Sequence, residues 1–191
     1  MGEIGMLRKF VLIGSLLLLS ASALALEVAG VKLEDRTSIG SQDLVLNGAG
    51  IRTRAIFKVY VGSLYVPAKA ADPAGVLAQS PRRIQLNLLR NLSAEQLVDA
   101  LNDGLKDNTG EAELATIKPQ AEQLSAIMKG FGDVKEGNVV TLDFVDGGTR
   151  IGLNGVTKGT IAGEAFNRAL TRIWLGDKPV QADLKKAMLG G

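Results

Sequence analysis

The chain of 191 residues contains no cysteine and no histidine. Without thiols there is no disulfide framework, no thiolate nucleophile and no Cys-ligated metal; without imidazole there is no histidine base and no Ser-His-Asp triad. Any acid–base work falls to Tyr, Lys, Asp, Glu or water, and nothing in the residues calls for a metal or a cofactor. An excess of one charge is missing too. The 22 basic and 20 acidic residues leave +2, and so even a balance gives no reason to expect nucleic acid or an acidic membrane surface as partner. There is no internal repeat, no low-complexity tract and no linker rich enough in Pro, Gly or Ser to divide the chain.

Long apolar runs are scarce as well. The strongest, Phe10 to Leu19, follows Arg8 and Lys9 and precedes small residues that end in Ala23-Leu24-Ala25. That order matches the n-region, h-region and A-x-A cleavage site of a secretory signal. The run is shorter than the roughly 18 to 20 residues of a spanning helix. Residues 1–25 are therefore expected to be a signal peptide, cleaved near Ala25, and residues 26–191 a single soluble domain with no stable membrane span. Cleavage removes Glu3, Arg8 and Lys9 and moves the net charge from +2 to +1. Export without disulfides points to a Gram-negative periplasm, since a domain of this size needs no staples.

Downstream, residues 27 to 46 alternate weakly around a polar stretch and read as a hairpin or two short strands. Asn47-Gly48-Ala49-Gly50 reads as a turn, followed by a strand from Ile51 to Val66 in which Gly62 marks a bulge or a close backbone approach. Arg83 to Leu89 alternates as another strand. Ser93 and Gln96 form a capping box ahead of Leu97, Leu101 and Leu105, predicting a helix over 94–106. Leu114, Ile117, Ala121, Leu124, Met128 and Phe131 predict a longer one ended by Gly130 and Gly132, with Pro119 near its first turn or at a kink. Val139 to Val145 and Thr149 to Val156 flank the turn Asp146-Gly147-Gly148. Phe166, Leu170, Ile173 and Trp174 mark a helix over 162–175, and Leu184 and Met188 a short final one. Hairpins with helices between and after them describe an α+β domain, an antiparallel sheet covered on one face by helices.

The candidate site lies in LNGAGIRTRAIFKVYVGSLYV, Leu46 to Val66. Even spacing would put Arg52, Arg54, Ile56, Lys58 and Tyr60 on one side of a strand and Ile51, Phe57, Val59 and Val61 on the other. Facing water, the first row is a solvated sheet face. Facing the helices, Arg52 and Tyr60 become buried donors that want an anionic or carbonyl partner, because an unpaired buried guanidinium is very costly. Trp174, Met128 and Met188 read as core, Asp146-Gly147-Gly148 as a turn only, and Arg82-Arg83 as the solvated start of a strand.

NGAGIR followed by FKVYVGSLYV resembles the signature of the chalcone isomerase superfamily, and more closely its bacterial exported branch of chalcone isomerase-like proteins. RIWLGDKPVQADLKKAMLG resembles the family's C-terminal helix, the turn after it and its last short helix. The resemblance spans roughly residues 27 to 190. It implies an open-faced β-sandwich, a large antiparallel sheet under a helix layer with the ligand cleft between. In the plant enzymes the arginine of the glycine turn holds substrate and stabilises negative charge while a phenolate adds to an enone; Arg52 matches it, with Arg54 as competitor. Their strand hydroxyl residue is a threonine, and Tyr60 stands there instead, as in the fatty-acid-binding branch where an arginine and a tyrosine grip a carboxylate. Alignment of the following helix puts Gln96 at the enzymes' tyrosine and Asn102 or Asp103 at their asparagine, while Asn167 falls at a small hydroxyl residue. These departures point away from flavonoid cyclisation.

Two functions follow as expectations. In one, the protein binds a small amphipathic or fatty-acid-like carboxylate, gripped by Arg52, Arg54 and Tyr60. In the other it is an isomerase, an intramolecular lyase on an enone or chalcone-like substrate, with Arg52 as electrophilic stabiliser and Tyr60, Asn102 and Asn167 completing the site. A purely structural role with a closed cleft is the third reading. Convergence of Asn102, Asp103 or Asn167 on Arg52 and Tyr60 would favour chemistry, and a lone Arg–Tyr pair above an apolar tunnel would favour binding.

Overall fold

The computed structural model describes residues 26–191; the expected signal peptide lies outside the described residues. Strands β1 (Leu26–Val28) and β2 (Val31–Leu33) form a two-stranded ribbon. Strands β3 (Arg36–Ile39), β4 (Gln42–Arg54), β5 (Phe57–Val66), β6 (Arg82–Leu88), β7 (Val139–Val145), β8 (Gly148–Leu153) and β9 (Val156–Ala162) form a seven-stranded sheet in chain order, antiparallel throughout. Helices are α1 (Pro73–Leu77), α2 (Ala94–Asn108), α3 (Glu111–Lys129), α4 (Glu164–Leu175) and α5 (Ala182–Met188). This is the α+β domain that the hairpin signals lead one to expect, in the open-faced form that the family resemblance implies.

Alternation along β5 shows the two faces. Tyr60, Leu64 and Val66 pack with the helices, whereas Val61 and Tyr65 join Leu33, Ile39, Leu44 and Leu46 in a second cluster on the reverse side. The β1–β2 ribbon thus covers part of the face that the helices leave open. The helix-side core joins Phe144, Ile151, Phe166, Leu170 and Trp174 with the stripe Leu101, Leu105, Ile117, Leu124 and Met128. Met188 is in it too, as expected for these fillers.

The capping box forms, with Ser93 Oγ accepting from Gln96 N and Gln96 Oε1 from Ser93 N. Pro119 lies inside α3 rather than in its first turn. It removes the N–H that the Ala115 carbonyl would take, and both residues are exposed, so water can serve that carbonyl.

Three local readings are corrected. Asn47-Gly48-Ala49-Gly50 is not a turn but part of the 13-residue β4. The glycines are there because α5 lies on the strand: a Cβ at Gly48 would meet the Ala187 carbonyl oxygen at 2.1 Å, and one at Gly50 the Ala187 Cβ at 2.8 Å. Asn47, at a register shift, donates to the Met188 carbonyl at 2.8 Å and ties the helix down. Second, Ile51 to Val66 is two strands, reversed at Ala55-Ile56. Third, the strand expected over Thr149 to Val156 stops at Leu153, because Asn154 (φ 52°) and Gly155 (φ 80°) make a tight turn, and the chain returns as β9 over Val156–Ala162, a strand not expected from the sequence. Gly62 is a close approach, its face lying against Leu184 of α5, and its pairing with Gly50 is regular.

Candidate functional site

Arg52 and Tyr60 do not share a strand, but the hairpin sets them opposite each other as cross-strand partners. A register shift brings this about. Arg54 pairs with Phe57 and Thr53 with Lys58, then Val59 is skipped and Arg52 meets Tyr60. Alternation therefore puts Arg54, Phe57, Arg52 and Tyr60 toward the helices and Lys58 away from them, correcting the expected row in which Lys58 sat beside Tyr60. A cleft of about 340 Å³ opens above this face, at the small end of the range typical of ligand pockets. Arg52, Arg54, Phe57, Tyr60 and Arg90 form its sheet side, and Gln96, Leu97 and Ala100 of α2 face them.

Arg52 is held by its own neighbourhood. The side chain of Gln181, just before α5, accepts from Thr53 N at 2.8 Å and from Arg52 Nη1 at 3.3 Å, while its amide donates to the Ile51 carbonyl at 3.2 Å. Arg52 Nη1 also donates to the Thr53 carbonyl. These bonds all use Nη1, so Nη2 and Nε remain available to a ligand. Gln181 thereby satisfies backbone that the end of β4 leaves open and aims the guanidinium.

Tyr60 is prepared differently. Trp174 Nε1 donates to its hydroxyl oxygen at 3.0 Å. An indole N–H is only a donor, so the phenol keeps its own proton for another acceptor. Burial drives the phenol up to about 12, against the smaller opposing effects of the Trp174 bond and the Arg52 charge. At neutral pH Tyr60 is thus a neutral hydrogen-bond donor and a poor base. Behind it lies an apolar recess of about 50 Å³, lined by Leu86, Leu101, Met128, Leu142 and Trp174 among others. The cleft is cationic at its mouth, carries one phenol at its waist and is apolar at its floor.

The other expected site residues are elsewhere. Asn102 and Asp103 are exposed on α2, and neither lines the cleft. Asn167 is buried, but its side chain accepts from Arg82 Nη2 and donates to the Gly148 carbonyl at 2.9 Å. Gln96 does line the cleft, at the edge where it also caps α2. Arg54 shares the mouth with Arg52 but is exposed.

Arg82 and Arg83 are not a solvated strand start. Arg82 is 2% exposed, bonded to Thr171 at 3.0 Å and to the Gln79 carbonyl at 3.0 Å, with its guanidinium 4.9 Å from the Phe144 ring centre. Burial pulls it down to about 10, so at neutral pH it is a buried cation. Arg83 makes two bonds to Asp143, at 2.6 and 2.8 Å. Sequence reasoning also missed three residues of the site: Arg90, whose guanidinium lies 4.7 Å over Phe57, Trp174 and Gln181. For Trp174 a signal existed, because a buried indole N–H wants an acceptor.

A larger basin of about 650 Å³ lies where α1, α2 and α4 end. Its rim mixes Lys106, Asp107, Glu111, Arg172, Asp177 and Lys178, so the charges balance, and no phenol or apolar recess adjoins it. Among the described residues, no cluster of three His, Cys, Asp or Glu could hold a metal.

A curled antiparallel sheet with a cleft under its helix layer defines the class: an open-faced β-sandwich of ligand-cleft type. Residues 25–190 match the sequence model of the chalcone isomerase-like family, and the chain belongs to that family. Among solved structures, the fatty-acid binding protein AtFAP1 of Arabidopsis thaliana shares the fold at a TM-score of 0.64 and 14% identity, covering 84% of this chain and 92% of that one. No curated protein matches the chain.

Proposed function

We propose that this protein binds a small amphipathic carboxylate of fatty-acid type in the cleft between sheet and helices, and that it does so in the periplasm after loss of residues 1–25. The observation that carries the reading is the order of groups along the cleft: free guanidinium donors at the mouth, a phenol protonated at neutral pH next, and an apolar recess behind. A carboxylate takes donors and refuses acceptors, and an acyl chain takes the recess. The related fold of a plant fatty-acid binding protein agrees with this. One charge-assisted bond from Arg contributes about 1.5–3 kcal/mol and sets orientation, while apolar burial supplies affinity.

The isomerase reading has less support. Its extra polar groups, Asn102, Asp103 and Asn167, do not line the cleft, and Tyr60 holds its proton too tightly to serve as a base near neutral pH. Native mass spectrometry of the protein recovered from a periplasmic extract tests the proposal. Wild type should carry an organic acid that Arg52→Ala releases. An empty cleft, or an acid retained by the variant, would overturn it and direct effort to turnover assays on enones.

A further inference from the structure

The β4–β5 hairpin turns outward at the cleft mouth with an unusual tip. Ile56 is 87% exposed and Phe57 53%. Tight hairpin turns favour Gly, Asn and Asp, yet this one uses Ala55, at φ 53°, followed by a β-branched isoleucine that touches no core. Around the tip stand Arg54, Lys58 and Arg90, all exposed. From Leu44 to Ala71 the chain has no acidic residue. Across the cleft, the exposed face of α2 carries Glu95, Asp99 and Asp103. The even overall charge therefore conceals a local separation at this surface.

We propose that this hairpin is a docking tip that seats the protein on an anionic lipid bilayer, with Ile56 and Phe57 entering the headgroup boundary and Arg54, Lys58 and Arg90 meeting lipid phosphates. Apolar side chains ringed by cations are what interfacial binding requires, and each basic group near an anionic leaflet adds attraction. A second copy of the chain is a poor occupant, because a two-fold contact at the tip would bring these cations onto their own equivalents. The acidic face of α2 would be repelled by the same leaflet, which fixes the tilt. Phe57 and Arg54 belong both to the tip and to the cleft lining, so docking places the mouth against the lipid. The docking stands apart from what the cleft holds; only its use for collecting an amphiphile rests on the function proposed above.

The test is vesicle co-sedimentation of residues 26–191, which contain the whole sheet, all five helices and both cores. Vesicles of phosphatidylcholine with phosphatidylglycerol should bind the protein, vesicles of phosphatidylcholine alone much less, and salt should release it. The variant Ile56→Ser/Lys58→Glu, which touches no cleft-lining residue, should lose binding by about tenfold or more while still taking a soluble fluorescent fatty acid as wild type does. Equal binding to both vesicle types, or binding unaffected by the variant, would overturn the proposal. So would sedimentation velocity showing that the variant dissolves a dimer while vesicle binding stays absent in wild type. Loss of fatty-acid uptake in wild type with vesicle binding intact would count against the cleft reading and leave the docking tip standing.

Discussion

Arg52 and Arg82 both reach toward the helix layer, Arg52 from the end of β4 and Arg82 from the start of β6. Around Arg82 the layer is closed. Asn167, Thr171 and the Gln79 carbonyl occupy its two Nη atoms, Phe144 covers its face, and no cleft opens onto it. Around Arg52 the fold uses one nitrogen, through Gln181 and Thr53, and leaves the rest over a cavity. Both have a partner strand and both have α4 nearby, through Thr171 in one case and the Trp174–Tyr60 pair in the other. A cation can serve a ligand only where the structure fixes its aim and leaves donors over a cavity; Arg82 has both Nη atoms taken and its Nε buried without a partner, and it is part of the frame.

Exchanging effects between the two arginines is the hardest test of that contrast. Arg82→Ala should lose about 3 kcal/mol of stability and lower Tm by roughly 6–12 °C, because it leaves the Asn167 acceptor buried without its donor and opens a void. Arg52→Ala should change Tm little and weaken fatty-acid binding about tenfold to a hundredfold, read by fluorescence displacement. If Arg82→Ala melted like wild type, or Arg52→Ala proved the less stable of the two, the division would collapse.

Tyr60→Phe should cost less, roughly two- to tenfold in Kd, since a single neutral hydrogen bond is removed. It also has a pH signature. The phenol is raised in the folded protein from about 10 to about 12, so its contribution to stability is full below pH 10 and is lost as pH rises toward 12. Chemical denaturation across that window should show wild type falling relative to Tyr60→Phe, and parallel curves would mean that the phenol is not desolvated. Arg90→Ala is the mildest case. At the exposed rim, with its cation over Phe57, it should weaken binding only about two- to fivefold, and a loss as large as that of Arg52→Ala would move the anchor to the rim.

Much of the frame was legible because it rests on periodicity. The leucine stripe of α2, its capping box and the apolar row of α4 state themselves in the residues, and so does the turn before Gly148. The strand breaks were harder. Asn154-Gly155 carried a sound turn signal that alternation on both sides concealed, and Ala55-Ile56 carried none. The glycines of β4 look like a turn because the reason for them, α5, arrives far later in the chain. The pairing of Arg52 with Tyr60 survived a mistaken picture of a single strand, since the hairpin and its skipped residue return both to one face. The roles of Arg82 and Asn167 were hidden for the opposite reason: their partners come from elements distant in sequence, and polar residues beside an apolar run look solvated until the layer above them is known.

The seat of α5 on β4 has a consequence for when the cleft comes into being. Gly48 and Gly50 make room for Ala187, and Gln181 fixes the backbone on either side of Arg52, contacts that join the first third of the chain to its last dozen residues. During synthesis the hairpin can form early, but its guanidinium has no orientation until the terminal helix arrives, and such distant closures come late. The cleft thus has no aimed guanidinium while the chain is nascent, and the last to be made of its parts is the one that sets Arg52 in place.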